Sequence, residues 1–212
     1  MNEQEHLKTL SDIKTLMERS SRFLSLSGLS GLFIGIYAIG GAIAAWWYIN
    51  NNTIEVISYY NLATVAGEVT YKPYLTFFIG DALLVLVLSL ITGYILTQRL
   101  AKKQGLNIWD TSAKRMLINL LVPLITGGIY CLILLQYQQI GLIAPSMLIF
   151  YGLSLLNASK YTHNDIRYLG VIEIILGLIA AINPGYGLLF WTVGFGIMHI
   201  IYGAAMYYKY ER

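Results

Sequence analysis

Residues 166–207 read IRYLGVIEIILGLIAAINPGYGLLFWTVGFGIMHIIYGAAMY. Two apolar runs, 166–182 and 187–207, flank the four residues Asn183-Pro184-Gly185-Tyr186. A run of about 20 mostly apolar residues is the length that crosses a bilayer as a helix. Asn-Pro favours turn initiation, and Pro-Gly suits a tight reversal. The stretch predicts two membrane helices folded back as an antiparallel hairpin.

Four more such runs lie upstream, at 29–48, 74–97, 116–135 and 140–156. The third and fourth are joined by only residues 136–139, a second tight hairpin. The expected fold class is all-α: a polytopic membrane protein of six transmembrane helices, arranged as three antiparallel hairpins. Residues 1–22 form a separate cytoplasmic segment, 23–212 the transmembrane domain, and 50–73 an outer loop.

Composition agrees with this. Of 212 residues, 57% are hydrophobic and 12% charged, with mean hydropathy +0.61. Soluble domains carry about 25% charged residues. A disordered chain, a nucleic-acid-binding module and a typical soluble enzyme are excluded. Orientation follows from the loop cations. Lys8, Lys14, Arg19 and Arg22 precede the first span, and Arg99, Lys102, Lys103, Lys114 and Arg115 follow the second. Lys160 and Arg167 follow the fourth, and Lys209 and Arg212 close the chain. Only Lys72 falls on the other face. The expectation is a bacterial inner-membrane protein with both termini in the cytoplasm. The first 22 residues carry four acids, unlike a secretory signal, so the first span is expected to act as its own insertion signal. Tyrosines at the span ends, among the chain's 17, read as an interfacial belt. Cys131 reads as a small buried hydrophobe.

Residues 3–20 read as an amphipathic helix, with Leu7, Leu10, Ile13, Leu16 and Met17 at helical spacing among charges. Such a helix can lie on the bilayer, pack on the chain's own loops, or dock a partner protein. The outer loop is read either as a small β-hairpin or as a short interfacial helix, and is the other place a partner or ligand would bind.

Glycines recur at helical spacing. Gly31 and Gly35 form a GxxxG pair, with Gly28 one turn earlier. Gly170 and Gly177, like Gly196 and Gly203, lie seven apart on one face. Small residues let helices pack closely in lipid, which supplies no hydrophobic drive between them. Packing within the chain is the first expectation, and homo-oligomerisation through the first span the second. Tyr151-Gly152 recurs as Tyr202-Gly203, consistent with duplicated hairpins.

The last hairpin resembles the HdeD / DUF308 family of small six-span bacterial membrane proteins. The resemblance rests on Leu169-Gly170 through Gly177, then Asn183-Pro184, Gly194 and Gly203, and covers about 40 of 212 residues. It implies a shared hairpin architecture. The family is associated with acid stress and offers no catalytic residue to carry over. The outer loop, Pro123, Pro145, Glu173 and His199 depart from its pattern.

Three ionisable residues fall inside spans: Asp81, Glu173 and His199. Such groups are costly in lipid and mark sites by default. At about 1.5 Å per residue, Glu173 and His199 sit at matching depths, roughly 10 and 12 Å from the cytoplasmic ends of the fifth and sixth spans. They are expected to meet across the hairpin, as interhelical glue or as a proton-sharing pair. Asp81 lies toward the outer side, with Tyr130 and Thr192 as candidate hydroxyl partners. It is read either as lining an outward pocket or as a protonated structural acid. Pro123 and Pro145 are expected to kink the third and fourth spans.

The sequence has no P-loop, HExxH or Gly-x-Ser-x-Gly. No catalytic residue, metal ligand or cofactor is assigned, and nucleic acid is not an expected partner. The expected function is a non-enzymatic accessory, sensory or stress-related membrane protein, as a subunit of a membrane complex or alone. The alternative is a small proton-coupled transporter or channel using Asp81, Glu173 and His199.

Overall fold

In the computed structural model the described residues are 22–51, 72–106 and 108–212. All regular structure among them is helical. We label α1 Gly28–Asn51, α2 Lys72–Lys103, α3 Thr111–Gln136, α4 Ile143–Ala158, α5 Asp165–Ile182, α6 Gly187–Trp191 and α7 His199–Tyr210. A π-helical stretch, Thr192–Met198, joins α6 to α7 in one rod. The expected helix at 3–20 and residues 52–71 of the outer loop lie outside the described residues.

Among the described residues five stretches are long and apolar enough to cross a membrane: Gly28–Asn51, Leu75–Lys103, Thr111–Gln136, Ile140–Tyr161 and Pro184–Tyr210. The chain is a multi-pass membrane protein. Helix α5 has the length, at 18 residues, but carries Asp165, Arg167 and Glu173. It tolerates them because it packs along α4 and touches the last rod, so its glutamate faces protein.

Local chemistry explains where the boundaries differ from expectation. Residues 50, 51, 72 and 73, read as loop, are helix ends. Helix α2 runs on to Lys103 because Gly105 takes the left-handed conformation (φ 69°) that closes a helix. The Leu106 N–H then reaches the Ala101 carbonyl at 2.9 Å and the Gly105 N–H that of Lys102 at 3.2 Å. Helix α3 begins at Thr111, before the expected 116, because the Asp110 carboxylate accepts from the Ala113 N–H at 2.6 Å and caps the helix. Pro123 lies inside α3 and cannot donate to the Asn119 carbonyl one turn back. The Asn157 side chain of α4 donates to that oxygen instead, at 3.2 Å. Pro145 does not kink α4. It sits in the first turn, where a missing N–H costs nothing.

The hairpin scheme needs amending for the last pair. Helices α1 and α2 pack together, as do α3 and α4, but α5 lies most extensively on α4 and the last rod on α1. Both close pairs are glycine crossings. A Cβ on Gly35 would stand 2.5 Å from the Gly196 carbonyl, and one on Gly203 2.8 Å from that of Gly28. On the other pair, a Cβ on Gly152 would stand 2.5 Å from the Gly170 carbonyl, and one on Gly177 2.9 Å from that of Pro145. The GxxxG face of α1 is thus spent within the chain. Its inward positions, Gly28, Gly31, Gly35, Ala38, Ala42, Ala45 and Ile49, alternate steps of three and four, the spacing of a close helix seam. Helix α2 packs extensively on α1 alone and turns Leu83, Leu84, Val87, Leu90 and Ile91 outward.

One end of the bundle is clamped by an extended segment. Phe23, Ser25 and Ser27 are buried at alternate positions. The Phe23 N–H donates to the Tyr161 carbonyl and the Thr162 hydroxyl to the Phe23 carbonyl, both at 2.7 Å. Ser25 donates to Gln104, tying in the loop after α2. The Glu211 carboxylate accepts from the Gly28 N–H at the α1 start and from the Ser27 hydroxyl. Lys209 and Tyr210 both donate to Asp165, at 2.8 and 2.6 Å. His163 stacks on Tyr210 and donates from Nε2 to the Leu24 carbonyl at 2.9 Å.

Gly203→Leu should cost about 1–3 kcal/mol by forcing α1 away from α7, read as a lower unfolding midpoint in detergent, while Gly80→Leu, where a Cβ meets nothing, should not. Burial pushes the His163 pKa below 6.5, outweighing the Leu24 carbonyl and Asp165, which favour the cation. A base with a depressed folded pKa contributes stability above its unfolded pKa that is lost as pH falls. The midpoint should therefore drop on acidification below about pH 6.5, and less steeply for His163→Gln, which keeps an N–H donor.

Candidate functional site

The last rod lies between α1 and α5, and two glycines of its π stretch face opposite ways. Gly196 packs on Ile39 of α1. Gly194 faces α5: a Cβ there would collide with Glu173 Oε2 and lie 2.6 Å from Leu148. Only a glycine leaves room for that carboxyl group.

Glu173 is fully buried, and among the described residues neither of its oxygens has a hydrogen-bond partner. Such a group is costly unless a charge or proton compensates it. Its nearest ionisable neighbour is His199, with Nδ1 3.7 Å from Oε1. The structure thus brings these two predicted residues together, but short of a hydrogen bond. The reason is that the imidazole is already committed. Nδ1 lies 3.0 Å from the Gly194 carbonyl, which only accepts, so this nitrogen carries hydrogen. Nε2 then accepts from the Tyr151 hydroxyl of α4, at 2.7 Å. The neutral ring is satisfied at both ends. A proton arriving at Nε2 would make that nitrogen a donor and reverse its bond with the Tyr151 hydroxyl, while the bond to the Gly194 carbonyl is kept.

Tyr151 is the residue the sequence reading missed. Its signal is its place: it falls in the middle of the fourth span, eight residues into α4, and not at the interface where tyrosines usually sit. Phe195 closes the aromatic shell, its ring centroid 5.0 Å from that of Tyr151 and 5.2 Å from that of Trp191. The π stretch, whose side chain His199 back-bonds to its carbonyl five residues earlier, is the kind of irregularity that accompanies sites.

Asp81 is not part of this cluster. It lies against Gly41, where a Cβ would be 3.1 and 3.3 Å from its oxygens. Neither candidate hydroxyl serves it: Thr192 donates to the Leu188 carbonyl, and the Tyr130 ring packs on Phe150. Asp81 instead lines a cavity at the end of the bundle away from the clamp, as does Cys131. Among the described residues no group of three His, Cys, Asp or Glu could hold a metal.

Gly194→Ala should displace the Glu173 carboxyl group. In a vibrational difference spectrum the buried carboxyl signal should shift, and the midpoint should fall by an amount comparable to other overpacked cores, about 1–3 kcal/mol. Tyr151→Phe should remove the Nε2 partner of His199 and shift the imidazole resonances while leaving the fold intact.

No family model, curated protein or solved structure matches the chain.

Proposed function

We propose that this chain is a six-span protein of the bacterial inner membrane with both termini in the cytoplasm. It acts as a non-enzymatic accessory or sensory subunit whose input is proton occupancy at Glu173 and His199. Its output passes to a partner protein through residues 3–20 or the outer loop. The single observation carrying this reading is Glu173: a fully buried carboxyl group with no hydrogen-bond partner among the described residues, 3.7 Å from a histidine. Perturbed ionisable groups concentrate at functional sites.

The reading has a mechanical element. Ionising one member of the pair leaves a charge in a buried site, which costs far more than a surface charge. Relief requires the neighbouring backbone to move. The π stretch between Gly194 and His199 has an α-helical alternative, so two arrangements of one segment can answer two protonation states. The six-crossing topology is supported by the clamp, where the starts of α1 and α5 meet the ends of α2, α4 and α7.

A second reading, a small proton-coupled transporter or channel using Asp81, Glu173 and His199, is favoured by one observation, the cavity at Asp81.

The test is hydrogen–deuterium exchange of the 192–199 amides in nanodiscs across pH 5–8, corrected for intrinsic exchange. Protection should change with pH in the native chain and be independent of pH in Glu173→Gln. A native profile flat in pH, or one that Glu173→Gln leaves intact, would overturn the sensory reading. Proton-driven flux in proteoliposomes, lost in Asp81→Asn, would establish the second.

A further inference from the structure

The cavity beside Asp81 has a volume of about 280 Å³. Its inner wall is Ala42 and Ala45 of α1, Phe78 of α2, Ala144 of α4 and Trp191 of the last rod. Ile79 and Leu132, 45% and 64% exposed, form its rim between α2 and α3. These two helices make no extensive contact with each other, which leaves the space open at the side of the bundle. Asp81 is the one charged residue of the lining among the described residues. It makes no hydrogen bond or ion pair among the described residues.

That combination selects its occupant by elimination. A phospholipid would place its phosphate beside a carboxylate, with no Lys, Arg or His among the described lining residues to offset it. A sugar or peptide would bury polar groups against an almost wholly apolar wall and leave them unpaired. A hydrated inorganic cation needs several oxygen ligands, and the lining side chains offer one carboxylate. An organic cation matches every feature. Its charge is met by Asp81 and its apolar body by the alanine wall, and Phe78 and Trp191 of the lining supply the aromatic groups that cations favour. The volume, at the low end for ligand pockets, suits a compact molecule.

We propose that this cavity binds a compact lipophilic organic monocation, an amine or quaternary ammonium, with its charge on Asp81. The site stands apart from the proton reading, because neither Glu173 nor His199 lines it. It holds whether the cation is carried or sensed.

The experiment is calorimetric titration of benzyltrimethylammonium into the full chain in nanodiscs, against the uncharged isostere neopentylbenzene as competitor. Saturable one-to-one binding is expected, weakened at least tenfold in Asp81→Asn, with no competition from the isostere. Ile79→Trp plugs the exposed rim without touching a buried position and should also abolish binding. Should Asp81→Asn fail to fold, Asp81→Glu keeps the charge and should bind within a few-fold of the native chain. Absence of saturable binding, equal binding by Asp81→Asn, persistence in Ile79→Trp, or equal competition by the isostere would each overturn the proposal. Displacement by added phosphatidylethanolamine would reassign the cavity to lipid.

Discussion

The backbone of α1 lies directly on the backbone of the last rod. Gly28 and Gly31 meet the Gly203 backbone, and Gly35 meets the Gly196 carbonyl beside the Ile200 side chain. Between helices in lipid there is no hydrophobic drive, and cohesion comes from dispersion contacts that fade within an ångström of lost fit. A small-residue seam is the arrangement that maximises them. Its consequence runs through the molecule. Many bulky apolar side chains turn outward, as on α2, while the buried face of α1 is built almost entirely from Gly, Ala and Ser.

A second crossing, α4 on α5 through Gly152, Gly170 and Gly177, repeats the device. The rod is held between α1 and α5, and its π stretch presents Gly196 to one and Gly194 to the other. The carboxyl group of Glu173 fits only because Gly194 has no Cβ. The same tight packing that holds the bundle together therefore seals an acid next to a histidine. Polar chemistry here is confined to where two close seams leave a pocket of the right size.

The two halves of the bundle carry different chemistry. One end is polar and clamped, with the chain before α1 threaded between the α4–α5 loop and the C-terminal residues. The other holds an apolar cavity with a single acid. The Glu173–His199 pair lies between them, linked toward the cavity by Phe195 and Trp191. A change at the pair has neighbours in both directions.

Much of this was legible in the chain. Apolar run length alone located every long helix, because a bilayer demands about 20 apolar residues whatever the fold. The matched depth of Glu173 and His199 followed from helix rise and a four-residue turn, both local quantities. The alternating three-and-four spacing of small residues from Gly28 to Ile49 was present but read only at its first three members. What the sequence could not determine was which helices touch. Glycine faces are interchangeable in pattern, so nothing local says that α1 meets the last rod while α5 meets α4. Tyr151 escaped for the same reason: its role depends on a histidine 48 positions away, on a helix with which it shares no turn. Asp81 resisted likewise, since a lone acid in a span reads alike whether it faces a hydroxyl or a cavity. Length and hydropathy are properties of one segment, and the sequence by itself determined those. Partner choice is set by the complementarity of two surfaces, and only the tertiary structure decided it.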